Sequence, residues 1–118
     1  MFEALQNLHI VKRAWQGKVR DIFDLGENLL IITSDRISAF DVVFPNQIPD
    51  KGKILNGISS YFFQTTRSII NNHFITDNVD EYPIEFQPFK SDLAGRSMLV
   101  RKTRVIPFEC IVRGYITG

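Results

Sequence analysis

A chain of 118 residues with 14 basic and 13 acidic side chains, net charge +1, is one domain by length and is not built chiefly to hold a nucleic-acid backbone. Its 44% hydrophobic content, ten Phe included, suffices for one core, and it has no run of about 18 apolar residues that would cross a membrane. The single cysteine, Cys110, excludes an internal disulfide framework and a thiolate-rich metal site.

The N-terminal stretch MFEALQNLHI carries Glu3 and lacks the basic-then-apolar layout of a signal peptide, so a cytoplasmic location is expected. Phe2 to Leu8 suits a short helical turn, and Ile10 to Trp15 a strand. Gln16-Gly17 reads as a turn, Val19 to Leu25 as the returning strand, and Gly26-Glu27-Asn28 as the next turn. Leu29 to Thr33 is a short apolar, β-branched run and reads as a buried strand. Three strands with short connections predict an antiparallel meander. Ser34 to Pro49 reads as irregular, punctuated by Pro45, Asn46 and Pro49.

Lys51 to Asn72 is the best helix candidate. Ile54, Leu55, Ile58, Tyr61, Phe62, Thr65 and Ile69 recur at three- and four-residue steps and predict an apolar face. Asp50 is its candidate cap, while Gly52 and Gly57 argue for a start nearer Ile54. Phe74 to Thr76 reads as extended, and Ser97 to Thr103 and Phe108 to Tyr115 as two further strands. The expected fold is α+β: a small antiparallel sheet with one long helix packed on it.

Three stretches carry candidate chemistry. In the first, Gly17 permits close backbone approach to an anion, and Lys18 and Arg20 add charge beside it. The pattern is not a P-loop, and it is nearer to the hairpin that covers ATP phosphates in protein kinases. Asp21 falls on the same strand face as Val19, Phe23 and Leu25, so it needs a partner, with Arg13 and Arg20 the nearest in sequence. The second stretch, Ser34 to Asp41, packs hydroxyls, carboxylates and a guanidinium behind a buried strand. Arg36 suits a carboxylate or phosphate, Ser38 can donate to a substrate oxygen, and Asp41 can accept from an amine. The plain reading of the same residues is a cap or turn cluster satisfying its own backbone.

The third stretch is Arg96 to Tyr115. A strand there puts Glu109 and Arg113 on one face about 13 Å apart, too far to pair with each other, so each needs another partner. Cys110 then falls on the opposite face as a small core residue. Arg101, Lys102 and Arg104 add positive charge on the preceding strand. His9 and His73 stand alone and read as structural.

In order and wording, Gly17 to Leu25 (GKVRDIFDL), Ser34 to Asp41 (SDRISAFD), Gly95 to Lys102 (GRSMLVRK) and Pro107 to Tyr115 (PFECIVRGY) resemble the SAICAR synthetase family. The resemblance implies an ATP-dependent ligase of purine biosynthesis that joins L-aspartate to carboxyaminoimidazole ribotide (CAIR), with ATP and magnesium as cofactors. It implies a β-rich N-terminal domain similar to the kinase N-lobe over residues 1–118, the first part of a longer enzyme. On its own this part is expected to be inactive.

Carried over by motif, Gly17, Lys18, Val19 and Arg20 would cover the phosphates. Arg101, Lys102, Thr103 and Val105 would lie beside adenine. Arg36, Ser38, Asp41, Glu109 and Arg113 would help bind CAIR and aspartate, with Lys18, Arg36 and Asp41 closest to the chemistry. Metal ligands are expected from sequence beyond this chain, nucleic-acid and membrane partners are not expected, and a homo-oligomer stays open. Two readings compete: a kinase-like phosphotransferase lobe, which loop geometry alone would allow, and a non-catalytic nucleotide- or RNA-binding module, for which the three cations of Val100 to Arg104 are the best support. Near-neutral charge and the lack of a stacked aromatic pair on Val100 to Arg104 argue against RNA.

Overall fold

The computed structural model describes residues 12–116, so the turn expected at Phe2 to Leu8, and His9, lie outside the described residues. The main sheet has five antiparallel strands in the order β1-β2-β3-β7-β6. These are β1 (Lys12–Gln16), β2 (Arg20–Asp24), β3 (Asn28–Thr33), β6 (Phe74–Thr76) and β7 (Ser97–Arg101). The meander expected for β1 to β3 is present, with Arg20 opposite Thr33 and Asp24 opposite Leu29.

Alternation along these strands divides the side chains between two faces. Phe23, Leu30, Ile32 and Leu99 point to one face and pack with Val79, Tyr82, Phe86 and Leu93. The covering residues come from 3-10 turns at Val79–Glu81 and Ile84–Phe89 and a one-turn helix at Lys90–Leu93. Leu29, Ile31, Met98 and Val100 point the other way and meet Phe63 and Phe74. Phe63 belongs to α1 (Lys51–Thr65), which crosses this second face.

Several expectations need correction. Residues 34–49 are not irregular: β4 (Arg36–Ala39) and β5 (Val42–Gln47) form a separate hairpin. Its two-residue turn places Phe40 and Asp41 at φ 48° and 65°, the handedness that suits a tight hairpin. Pro45 is tolerated because a two-stranded sheet consists only of edges.

Helix α1 begins at Lys51 and ends at Thr65, short of Asn72. Its apolar stripe faces outward, with Ile54, Ile58, Tyr61 and Phe62 all exposed, as is Ile69 beyond its end. The buried side is Gly52, Asn56 and Ser60. Gly52 is needed there because a Cβ would sit 2.2 Å from the Thr33 carbonyl oxygen. The Asp50 side chain makes no cap, and the Asp35 carboxylate accepts from Gly52 N–H at 2.8 Å instead. A carboxylate at that end also complements the helix dipole.

Residues 102–116 contain no strand or helix, so the strand expected from Phe108 to Tyr115 is absent. Cys110 is exposed rather than buried. Alternation in that stretch has no neighbouring strand among the described residues to pair with, and alternation alone does not make a sheet.

Candidate functional site

The Gly17 turn closes β1 onto β2 through a Gly17 N–H bond to the Arg20 carbonyl at 2.7 Å. It is anchored from the segment that follows β3. Ser34 donates to the Val19 carbonyl from its backbone N–H (2.8 Å) and from its hydroxyl (2.6 Å). Arg36 donates from Nε to the Lys18 carbonyl (3.1 Å) and from Nη2 to the Gly17 carbonyl (3.2 Å). Three successive carbonyls are thereby held from one side.

The same guanidinium forms a two-pronged ion pair with Asp21. Nη1 and Nη2 each donate to a carboxylate oxygen at 3.2 Å. The Asp21 side chain is wholly buried, and that of Arg36 is 18% exposed. The partner required for Asp21 is therefore Arg36, in place of Arg20 or Arg13. A paired, hydrogen-bonded carboxylate is the form in which a buried charge is tolerated.

Asp35, between these two anchors, pairs with Arg96 at 3.2 Å while it caps α1. Burial pushes its carboxyl upward, but the Gly52 N–H and Arg96 outweigh that and hold it below the usual 3.8. Ser34, Asp35 and Arg36 thus tie the 17–21 turn, helix α1 and the start of β7 together. For these three residues the plain reading, a polar cluster satisfying its surroundings, describes the geometry.

The other candidates are distributed differently. Lys18 reaches across to Asp41 at the tip of the β4–β5 hairpin, and hydrogen bonding and charge from Lys18 lower the Asp41 carboxyl. Ser38 is half-buried on β4. Lys102 pairs with Asp24 at 2.6 Å, and its N–H donates to the Glu27 carbonyl at 2.9 Å. Thr103, Val105, Glu109 and Arg113 are exposed, and the structure does not bring Glu109 and Arg113 to the hairpin within an assigned element.

Two clefts open on the α1 side of the sheet. One, of about 260 Å³, is lined by Trp15, Arg20, Ile22, Ile31, Thr33, Ser59, Phe63, His73 and Met98. The second, of about 430 Å³, is lined by Phe63, Asn71, Asn72, His73, Arg101 and Thr103. Phe63 and His73 border both, so the clefts adjoin. His73 packs on Phe63 with ring centroids 5.1 Å apart, and burial lowers its pKa. Trp15, Ile22, Phe63, His73 and Met98 were not singled out by sequence reasoning as site residues. The shared strand face of Trp15, Ile22 and Met98 was the available signal.

The clefts connect the two ends of the sheet. Register places Arg20 and Ser97 toward one end, and Asp24, Asn28 and Arg101 at the other. The step from Ser97 to Arg101 is about 13 Å at strand spacing. The Gly17 turn and the Arg101 strand end are thus far apart, with the two adjoining clefts between them.

The family model for SAICAR synthetase matches residues 13–118. The chain belongs to the SAICAR synthetase family. It is 57% identical over 103 residues to a phosphoribosylaminoimidazole-succinocarboxamide synthase of Pelobacter propionicus, covering 87% of this chain and 35% of that one. It is 56% identical over 108 residues to the synthase of the same name from Geobacter sulfurreducens, covering 92% of this chain and 36% of that one. The solved SAICAR synthase from Saccharomyces cerevisiae, complexed with SAICAR, superposes with a TM-score of 0.82 at 38% identity, over 95% of this chain and 40% of that one. The chain therefore spans about a third of the length of the curated relatives it matches.

Proposed function

We propose that this chain supplies the ATP-binding part of a SAICAR synthetase, an ATP-dependent carbon–nitrogen ligase of purine biosynthesis. The observation that carries the reading is the pair of adjoining clefts on the α1 side of the sheet, one bordered by Trp15 and Arg20 on either side of the glycine turn and the other by Arg101 and Thr103. An extended nucleoside triphosphate has the length and polarity to lie along them. Adenine then packs toward Met98 and Arg101, which line the two clefts. The triphosphate runs toward Gly17, Lys18, Val19 and Arg20.

The overall reaction joins L-aspartate to CAIR. A carboxylate is a poor acyl donor because oxide is a poor leaving group. Transfer of the γ-phosphoryl group of ATP to the CAIR carboxylate releases ADP and gives an acyl phosphate. The aspartate amine then attacks the acyl carbon, and phosphate leaves with the bonding electron pair. Negative charge concentrates at both steps, so oriented N–H groups and cations favour them. Lys18 and Arg20 supply cations at the phosphate end. Ser38, Asp41, Glu109 and Arg113 are assigned to the CAIR and aspartate side.

Magnesium belongs to the proposed reaction. Among the described residues no group of three or more His, Cys, Asp or Glu side chains gathers to hold an ion. The described residues present no all-protein metal cage, and no step here is routed through a metal. Among those residues, no helix is long and apolar enough to cross a membrane.

Amine-selective modification of Lys18 with and without ATP tests the reading. ATP is expected to protect Lys18, and RNA is not. Equal labelling in all three conditions would overturn it. The 118-residue chain by itself is expected to form no SAICAR above a no-enzyme control.

A further inference from the structure

We infer that Asp21 and Arg36 are positioning residues: their ion pair sets the 17–19 turn so that the backbone amides of Lys18 and Val19 face outward to receive an anion. The inference rests on the proposed nucleotide reading and deepens it.

In a trans peptide the carbonyl and the N–H of the same plane point opposite ways. Arg36 draws in the Gly17 carbonyl, which turns the Lys18 N–H outward. It also draws in the Lys18 carbonyl, which turns the Val19 N–H outward. Among the described residues, neither amide donates to another backbone group. Two successive outward amides make the kind of concavity that binds phosphate oxygens.

Arg36 can hold both carbonyls only if its guanidinium plane is fixed. Asp21 fixes it by accepting from both terminal nitrogens. Lys51 donates to the Arg36 carbonyl at 3.0 Å and steadies the backbone behind it. A lysine at position 36 would carry the charge without the planar fork, and would not reach two carbonyls and a carboxylate together. Arg36 therefore acts on a ligand through the turn, with four of its five N–H donors already occupied.

The charge of Asp21 gives the test its sign. Asp21 is wholly buried, with both carboxylate oxygens on Arg36. If it acted only through space, Asp21→Asn would remove a negative charge near the phosphate and tighten ATP binding. If Arg36 were a substrate contact, the same change would release it and also tighten binding. The positioning role predicts the reverse.

Calorimetry of the chain with ATP and with adenosine separates these outcomes. Asp21→Asn and Arg36→Lys are each expected to raise the ATP dissociation constant about tenfold. Adenosine binding should change by less than about twofold, because the adenine end is untouched. ATP binding that is unchanged or tighter in Asp21→Asn overturns the inference.

Backbone order parameters supply the second measurement. Lys18 and Val19 should fall from about 0.85 to below about 0.6 in either variant, with Val100 unchanged as the check on folding. A turn that stays rigid overturns the clamp. If the unaltered chain binds neither ATP nor adenosine, the nucleotide reading fails, and the order parameters still decide the clamp.

Discussion

Two polar stretches of this chain look alike in sequence and behave oppositely in the fold. Ser34 to Arg36 and Glu109 to Arg113 both combine carboxylates and guanidinium groups beside apolar residues. The first turns inward: Asp35 and Arg36 pair with Arg96 and Asp21, and Ser34 holds the Gly17 turn. The second lies exposed in a segment without strand or helix. A charged motif can be scaffold or contact surface, and only the location of its partners separates the two.

Substitutions that attack the inward set should cost the most. Asp21→Ala leaves Arg36 with a poorly solvated, unpaired charge and should destabilise the chain by about 3 kcal/mol. Urea unfolding measures this, and a loss below about 1 kcal/mol would mean the pair is solvent-like. Gly52→Ala forces a Cβ against the Thr33 and Ser34 carbonyls, and should cost about 2 kcal/mol in the same assay. A neutral result would show that α1 can shift away from the sheet.

Acid should reveal Asp35 next. Its folded-state pKa lies below 3.8, so the folded carboxyl holds its proton less readily than the unfolded one. The stabilisation is fully present above the unfolded value and disappears as pH falls through the folded value. Melting temperatures measured below about pH 4 should fall more steeply in the original chain than in Asp35→Asn. Parallel curves would remove Asp35 from the account.

Glu109→Ala and Arg113→Ala should do least, each within about 0.5 kcal/mol of the original stability. A larger effect would mean that these side chains have partners inside the chain, and the contrast between the two stretches would fail.

The sequence made the meander legible because Gly17 and Gly26 mark its turns and alternation marks its strands. It also exposed β6 and β7 and the need of Asp21 for a partner. It did not reveal Arg36 as that partner, because the pair is fifteen positions apart and depends on how β3 leads into β4. The β4–β5 hairpin was hidden by Pro45 and by a turn whose left-handed positions hold Phe40 and Asp41 in place of glycine.

Helix α1 was found but turned the wrong way. Its apolar stripe obeys the helical period, but the sheet accepts only small and polar groups where Gly52, Asn56 and Ser60 meet it. Asn56 Nδ2 bonds the Gly95 and Ser97 carbonyls, a contact that hydrophobic periodicity does not register. The candidate site was legible as to the Gly17 turn and the strand end at Arg101. Its apolar walls were not, because Trp15, Ile22 and Met98 come from three strands and α1 supplies Phe63 opposite them.

The link between positions 21 and 36 has a consequence for how such sequences can drift. A carboxylate sealed behind the turn tolerates no neighbour but a forked cation, and among the described residues that cation has no other buried acid to hold it. Relatives that lose one are therefore expected to have lost both, with a different device holding their turn. The two positions should be inherited as a pair.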